Sequence, residues 1–407
     1  MQMNPNKIPN VVFIGAKETG KTTTIEKLWN KKNSAINVQE NIEGRGNIIY
    51  NVSELPFISF SIEKEIKDWI DNRENRNALI NADVIVFLLA IDNITFSRKA
   101  KFFKQLQDAK IIKEDVSVII GISQIESYVD IKELNGDYAI SLNDCGAIIE
   151  RKTTFYKEFY RYMQGFSFEI SNVIPFSYIV DWQLQNLKNA IIEGVIKRHN
   201  ELVFDKKCPT VVFIGKTGCG KSSTINTLCD TDLPVDGAVA CTKFPIVINK
   251  EFLYGKCIKR INIIDLPGIA ESLEANILYT DYYNKYIKAA NVVVCLSQAN
   301  TRAYKQDEDF YTELIESNII SSNSRIILGI NKIDLIFKSD EHLAGIDLST
   351  ITDDNVLIKD KIDDYYGRVF SKIFSKFSTV NIDAVVAYSN LQQWNMERLA
   401  HKIFSNL

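Results

Sequence analysis

The chain has 407 residues, 46% hydrophobic and 24% charged, with a formal net charge of −3; that is the balance of a globular protein too long for one ordinary core. The small acidic excess is shared between the two halves, so charge gives no indication of nucleic-acid or ribosome association, although a local basic patch is compatible with it. No apolar run approaches the roughly 18 residues of a membrane span, and seven scattered cysteines without a C-x-x-C pair suggest neither a disulfide framework nor a zinc site, so a reduced, cytoplasmic protein is expected.

The start, MQMNPNKIPN, lacks the apolar core of a signal peptide. An apolar strand then leads into PNVVFIGAKETGKTTT at 9–24, where Gly15, Gly20, Lys21 and Thr22 fill the pattern G-x-x-x-x-G-K-[ST] of a phosphate-binding loop. Further apolar runs follow at NADVIVFLL (81–89) and IIGISQIE (119–126), and IPFSYIVDWQLQNLKNAI (174–191) closes the half. HNELVFDKKCPT at 199–210 reads as a short polar connection. The same four segments then recur in the same order. They are PTVVFIGKTGCGKSST at 209–224, AANVVVCLS at 289–297, ILGINKID at 327–334 and VAYSNLQQWNMERLAHKI at 386–403. A whole domain has been duplicated, giving units 1–202 and 203–407.

In the second copy the alternation predicts strands near 210–214, 244–249, 261–265, 292–297, 325–330 and 382–387. Helices are predicted near 220–229, 275–289, 304–317, 355–377 and 391–404. Short β-branched runs alternating with helical segments indicate an α/β fold, with a mainly parallel sheet flanked by helices on both faces. Twice over, this is a tandem of P-loop NTPase, or G-domain, folds.

Gly215, Gly220, Lys221 and Ser222 repeat the phosphate-loop pattern, with Gly218 and Ser223 in the same cradle. Glycines let backbone N–H groups curl round phosphates, Lys221 reaches the β- and γ-phosphates, and the Ser222 hydroxyl ligates Mg. In IIDLPG at 263–268, Asp265 can hold Mg through water while the Gly268 N–H meets the γ-phosphate. D-x-x-G alone is an ordinary strand-end turn; its place between a phosphate loop and a later N-K-x-D makes it specific. Asn331, Lys332 and Asp334 supply that N-K-x-D. A fixed carboxylate can accept hydrogen bonds from N1–H and the exocyclic N2 of guanine, a pair of donors that adenine lacks, so GTP and GDP are expected. Cys219 stands at a helix start, where a thiol pKa can fall; the plainer reading is a small loop residue.

The stretches IGKTGCGKSS (214–223), ACT (240–242), IIDLPGIAES (263–272), TRAYKQDEDFY (301–311) and NKID (331–334) resemble the Era/septin-like branch of P-loop GTPases, in particular the Era-like GTPases of bacterial prophages and genomic islands. By this resemblance Thr242 is the switch threonine that completes the Mg shell, and Ser389 belongs to the last guanine-contacting loop, with Asn390 where the family has alanine. Ile269 follows Gly268 where Ras-like enzymes place a water-orienting glutamine, which implies slow turnover. Arg302 resembles a family arginine, either for transition-state charge or as a solvated helix-start residue.

The first half keeps the cradle and departs elsewhere. Glu54 in VSELPF stands where Asp265 stands, Phe57 replaces Gly268, SQIE at 123–126 replaces NKID, and no threonine lies between Ile25 and Ser53. A regulatory or structural pseudo-GTPase is expected there. The second half is expected to hydrolyse GTP to GDP and phosphate through Lys221, Ser222, Thr242 and Gly268. The alternative is a non-hydrolysing, GTP-dependent assembly protein, as septin-like proteins can be. Where the protein pairs, the expected partner is a second copy, joined through the C-terminal domains.

Overall fold

The computed structural model describes the chain outside residues 1–7, 32, 34, 43–45, 61–62, 92–95, 128–130, 135–136, 141–169, 232, 234, 236–243, 255–256, 269–272, 301–303, 321–324, 339–347, 353–354 and 366–381. It divides into two compact units, one comprising Met1–Glu40 and Ile48–Leu202, the other Val203–Leu407 with Asn41–Asn47. Among the described residues no helix is long and apolar enough to cross a membrane.

The first unit begins with β1 (Asn10–Gly15), α1 (Lys21–Trp29), β2 (Ala35–Ile42) and β3 (Gly46–Glu54). It continues through α2 (Glu63–Asp71), α3 (Arg73–Asn81), β4 (Val84–Ala90), α4 (Phe96–Asp108) and β5 (Ser117–Ser123). An antiparallel hairpin of β6 (Ile131–Leu134) and β7 (Asp137–Ile140) follows, then β8 (Ile170–Pro175) and α5 (Leu184–Val203). Six strands form one sheet in the order β2-β3-β1-β4-β5-β8, with β1 parallel to both β3 and β4.

The second unit runs β9 (Thr210–Gly215), α6 (Lys221–Cys229), β10 (Ile246–Tyr254), β11 (Cys257–Asp265), α7 (Leu273–Ile287) and β12 (Val292–Gln298). It is completed by α8 (Tyr304–Glu316), β13 (Arg325–Asn331), α9 (Asp334–Lys338), α10 (Val356–Tyr365), β14 (Ile382–Ala387) and α11 (Met396–Phe404). The sheet order β10-β11-β9-β12-β13-β14 matches that of the first unit strand for strand. Even an irregularity is duplicated. The register slips between Val118 and Ile119 in one sheet and between Ile326 and Ile327, 208 positions on, in the other.

The continuous apolar runs follow from coverage on both faces. Successive strand side chains point to opposite sides. Val212 and Ile214 therefore join a cluster with Tyr286 and Ile287 of α7 and Tyr311 and Leu314 of α8. Val211 and Phe213 join another with Ile225 of α6 and Leu399 and Ile403 of α11. Each such side chain withdrawn from water stabilises by about 1.5–3 kcal/mol. A sheet needing both faces apolar is what a parallel α/β layer requires.

Three details depart from the sequence expectations. The strands placed at 244–249 and 261–265 are one long antiparallel hairpin, paired from Ile246↔Asp265 to Tyr254↔Cys257, so this sheet has an antiparallel edge. The last helix starts at Met396 rather than 391, because Gln393 and Asn395 are left-handed (φ 55° and 59°) and Ser389 bridges Trp394. The connection at 199–210 is partly helical, since α5 continues to Val203. Beyond it the chain is pinned by wholly buried Asn262, whose Oδ1 accepts from Asp205 N–H (3.1 Å) and whose Nδ2 donates to Asp205 O (2.7 Å).

Candidate functional site

In the second unit β9 ends at Gly215 and the loop turns into α6 at Gly220. Gly220 is left-handed (φ 93°), a conformation that costs a residue with a Cβ, and its carbonyl accepts from Thr224 N–H at 2.9 Å to close the first helical turn. Lys221 is buried, and its ammonium donates to the carbonyls of Gly215 (3.1 Å) and Lys216 (3.2 Å), which holds the charge at the mouth of the loop. Gly218 lies mid-loop and Ser223 in the first turn of α6. Ser222 Oγ donates to Asp265 Oδ2 at 2.5 Å. Asp265, fully buried, ends β11 in register with Phe213 of β9, so the sheet itself sets this pair.

The chain after Asp265 folds back onto the loop. A Cβ on Gly268 would stand 2.2 Å from Thr217 Oγ1 and 2.7 Å from Thr217 N, so glycine is required by close approach. Tyr283 OH donates to Pro267 O (2.8 Å) and fixes that turn from α7. Ser222 and Asp265 together present hard oxygen donors of the kind Mg takes while keeping water and phosphate oxygens in its shell. Among the described residues no cluster of three or more His, Cys, Asp or Glu is built to hold a metal; an ion shared with phosphate fits this donor set.

At the other end of the cradle Asn331 joins three segments. Its Nδ2 donates to Cys219 O (3.1 Å), while Oδ1 accepts from Lys332 N–H (2.7 Å) and Asn390 N–H (3.2 Å). Lys332 Nζ donates to Gly218 O (2.7 Å) and Gln298 Oε1 (3.1 Å). Asp334, buried at the start of α9, accepts from Ser389 Oγ at 2.7 Å, and that hydroxyl accepts in turn from Gln392 N–H at 3.2 Å. The carboxylate is thereby held in one rotamer. Below it, the Tyr388 and Thr224 hydroxyls share a hydrogen bond of 2.8 Å; burial pushes the Tyr388 phenol well above its usual range, so it stays neutral.

The structure thus brings Gly215, Gly218, Gly220, Lys221, Ser222, Ser223, Asp265, Gly268, Asn331, Lys332, Asp334 and Ser389 round one loop. Thr242, Ile269 and Arg302 lie outside the described residues. Cys219 is buried, and a Cβ on Gly215 would sit 3.0 Å from its sulfur, so the thiol faces inward rather than toward the cradle. Thr217 occupies an unspecified position of the phosphate-loop pattern, while Gln298 and Tyr388 support the site without belonging to any motif. Only the strand ends that carry them hinted at their place.

The first unit rebuilds part of this. Lys21 Nζ donates to Gly15 O (3.3 Å) and Ala16 O (3.4 Å), and Gly20 is left-handed (φ 75°). Thr22 Oγ1 donates to Glu54 Oε2 at 2.7 Å, and Glu54 pairs with Phe13 as Asp265 pairs with Phe213. Burial lowers the Lys21 ammonium pKa, opposed by Glu54, whose Oε1 lies 3.8 Å away. Phe57, in the place of Gly268, is 56% exposed.

Comparison with known proteins gives consistent relatives. Residues 210–332 match the family of 50S ribosome-binding GTPases. An uncharacterized Escherichia coli protein, YkfA, is 27% identical over 55% of this chain and 70% of its own length. A second from the same organism, YfjP, is 31% identical over 32% of this chain and 47% of its own. The GTPase Der of Buchnera aphidicola is 21% identical over 81% of this chain and 68% of its own length, a match long enough to enter both halves.

Proposed function

We propose that this chain, a P-loop GTPase with two tandem G-domain folds, hydrolyses GTP to GDP and phosphate in its second unit, while the first unit, a pseudo-GTPase, serves a structural or regulatory role. The observation that carries the reading is the pairing of a complete cradle with a locked carboxylate. Lys221 and Ser222 stand at one end of the loop, and Asp334 is held by Ser389 at the other.

In this reading the loop N–H groups and the Lys221 ammonium bind the β- and γ-phosphates, and the Gly268 N–H meets the γ-phosphate. Ser222, Asp265 and Thr242 hold Mg. When bound, the metal neutralises charge building on the transferred phosphoryl group. Ile269 brings no carboxamide to orient the attacking water, so turnover is slow for one molecule alone. Pairing of two molecules through their second units would supply groups that one copy lacks.

The test is a GTP-hydrolysis time course with the full chain and Mg. Turnover should be linear, absent with ATP, abolished by Lys221→Ala and retained by Lys21→Ala. Asp334→Asn should move the preference to xanthine nucleotides. Stoichiometric GTP held without turnover would instead assign a GTP-dependent assembly protein. Turnover that depends on Lys21 and not on Lys221 would reverse the roles of the units.

A further inference from the structure

The two cradles share the loop that would hold phosphate, apart from Phe57 in the place of Gly268, and differ most at the base end. Three features of the second unit's loop have counterparts in the first: a left-handed glycine, a buried lysine folded onto two loop carbonyls, and a hydroxyl bonded to a strand-end carboxylate. At the base end the supports of the loop survive, but the recognition chemistry does not. Ser123 Oγ donates to Thr19 O (2.9 Å), as Asn331 donates to Cys219 O, and Gln124 Nε2 donates to Glu18 O (2.7 Å), as Lys332 donates to Gly218 O.

What is gone is the clamped carboxylate. Glu126 takes the place of Asp334 on a short 3-10 turn, Ile125–Ser127, with a side chain one methylene longer. Ser177, the counterpart of Ser389, accepts instead from Ile179 N–H (3.2 Å) and Val180 N–H (3.3 Å) of its own loop. Glu126 Oε2 is buried and takes no hydrogen bond among the described residues. Selection of guanine requires an acceptor held in one place, because its discrimination comes from two directed bonds that adenine cannot make. Among the described residues Glu126 Oε2 has no clamp like that of Ser389 on Asp334, and the charge of Lys332 is replaced by the neutral Gln124 amide.

We propose that the first unit is a second ligand site of a different class: it binds the Mg-complexed phosphate chain of a nucleoside triphosphate without selecting the base. Lys21 and the loop N–H groups hold the chain, and Thr22 with Glu54 provides the oxygen donors for the metal. The proposal shares the cradle chemistry of the proposed function but rests on other residues, so the two fail separately.

The experiment is equilibrium dialysis of the full chain with labelled ATP and Mg. One equivalent of ATP should bind per chain, with GTP favoured at that site by no more than about threefold, against on the order of a hundredfold at the site containing Lys221. Inorganic tripolyphosphate should displace the ATP. Binding should be lost in Lys21→Ala and kept in Lys221→Ala. Because Lys21 is buried, Thr22→Val, at an exposed position, provides the check on folding; it should weaken Mg-dependent binding by about tenfold. The proposal is overturned by a folded chain that binds no ATP, by ATP binding that follows Lys221, by a tenfold or greater preference for GTP at the first site, or by Thr22→Val leaving binding and its Mg requirement unchanged.

Discussion

At the scale of single residues, the distinction between the two sites lies in how side chains are held rather than in which motifs are present. Asp334 is useful because Ser389 fixes it. Hydrogen bonds to charged groups contribute about 1.5–3 kcal/mol, so Ser389→Ala should weaken GDP binding roughly tenfold to a hundredfold in a calorimetric titration while the fold persists. An unchanged dissociation constant would remove Ser389 from the recognition loop. The motif residues were legible in the sequence, because phosphate and guanine chemistry demands given residue types at given spacings. Gln298 was not legible. It reaches Lys332 only because β12 and β13 lie side by side, in register from Val292↔Arg325 to Gln298↔Asn331, and nothing local marks that pairing.

At the scale of elements, strand positions in the second unit were legible from apolar runs, and the limits of α7 and α8 nearly so from periodicity. By contrast, α5 runs into the expected connection, and the end of the helix expected at 355–377 lies outside the described residues. The start of α11 was not legible, since it depends on backbone geometry. Asn395 sits at φ 59° with its Nδ2 donating to Ala387 O at 3.0 Å, so the loop from Ser389 is held open and the helix cannot extend back to 391. A left-handed residue with a Cβ costs about 1–2 kcal/mol unless, like Asn, it is locally bonded. Asn395→Ala should therefore lower the melting temperature more than Asn395→Gly, which loses the hydrogen bond but none of the backbone freedom. Equal or reversed melting temperatures in calorimetry would show that the side-chain bond, not the backbone, sets this boundary. The antiparallel hairpin of β10 and β11 was missed in extent for a related reason. Its outer strand is an edge, and an edge strand need not be apolar on both faces.

At the scale of the whole molecule, each unit is a compact body with its own sheet, and ligands that bind only the folded form stabilise it by mass action. GTP at about a hundred times its dissociation constant adds about 2.7 kcal/mol to the unit that holds it. Scanning calorimetry of the full chain should show a transition raised by Mg-GTP and not by Mg-ATP, and that guanine-specific shift should disappear in Lys221→Ala. A guanine-specific shift unaltered by that substitution would place the principal guanine site elsewhere.

The ring of Tyr178 also bears on whether the duplication can be undone. A Cβ on Gly20 would lie 2.2 Å from Tyr178 Cε1, and one on Gly220 would lie 2.3 Å from Asn331 Nδ2, so ring and amide fill the same spot in the two units. The Tyr178 hydroxyl accepts from Gln124 Nε2 at 3.1 Å, which ties the ring to the loop that lost its asparagine. Restoring Ser123→Asn alone forces an amide against the ring, at about 1–3 kcal/mol. Tyr178→Asn alone leaves a hole costing about 2 kcal/mol. The double substitution should cost less than the sum by about 1 kcal/mol or more, which a double-mutant cycle on chemical denaturation would measure; simple additivity would show the two positions to be independent. Each single step back toward a guanine-selective site should therefore cost stability before any recognition returns, so the packing round Tyr178 by itself works as a one-way catch against that return.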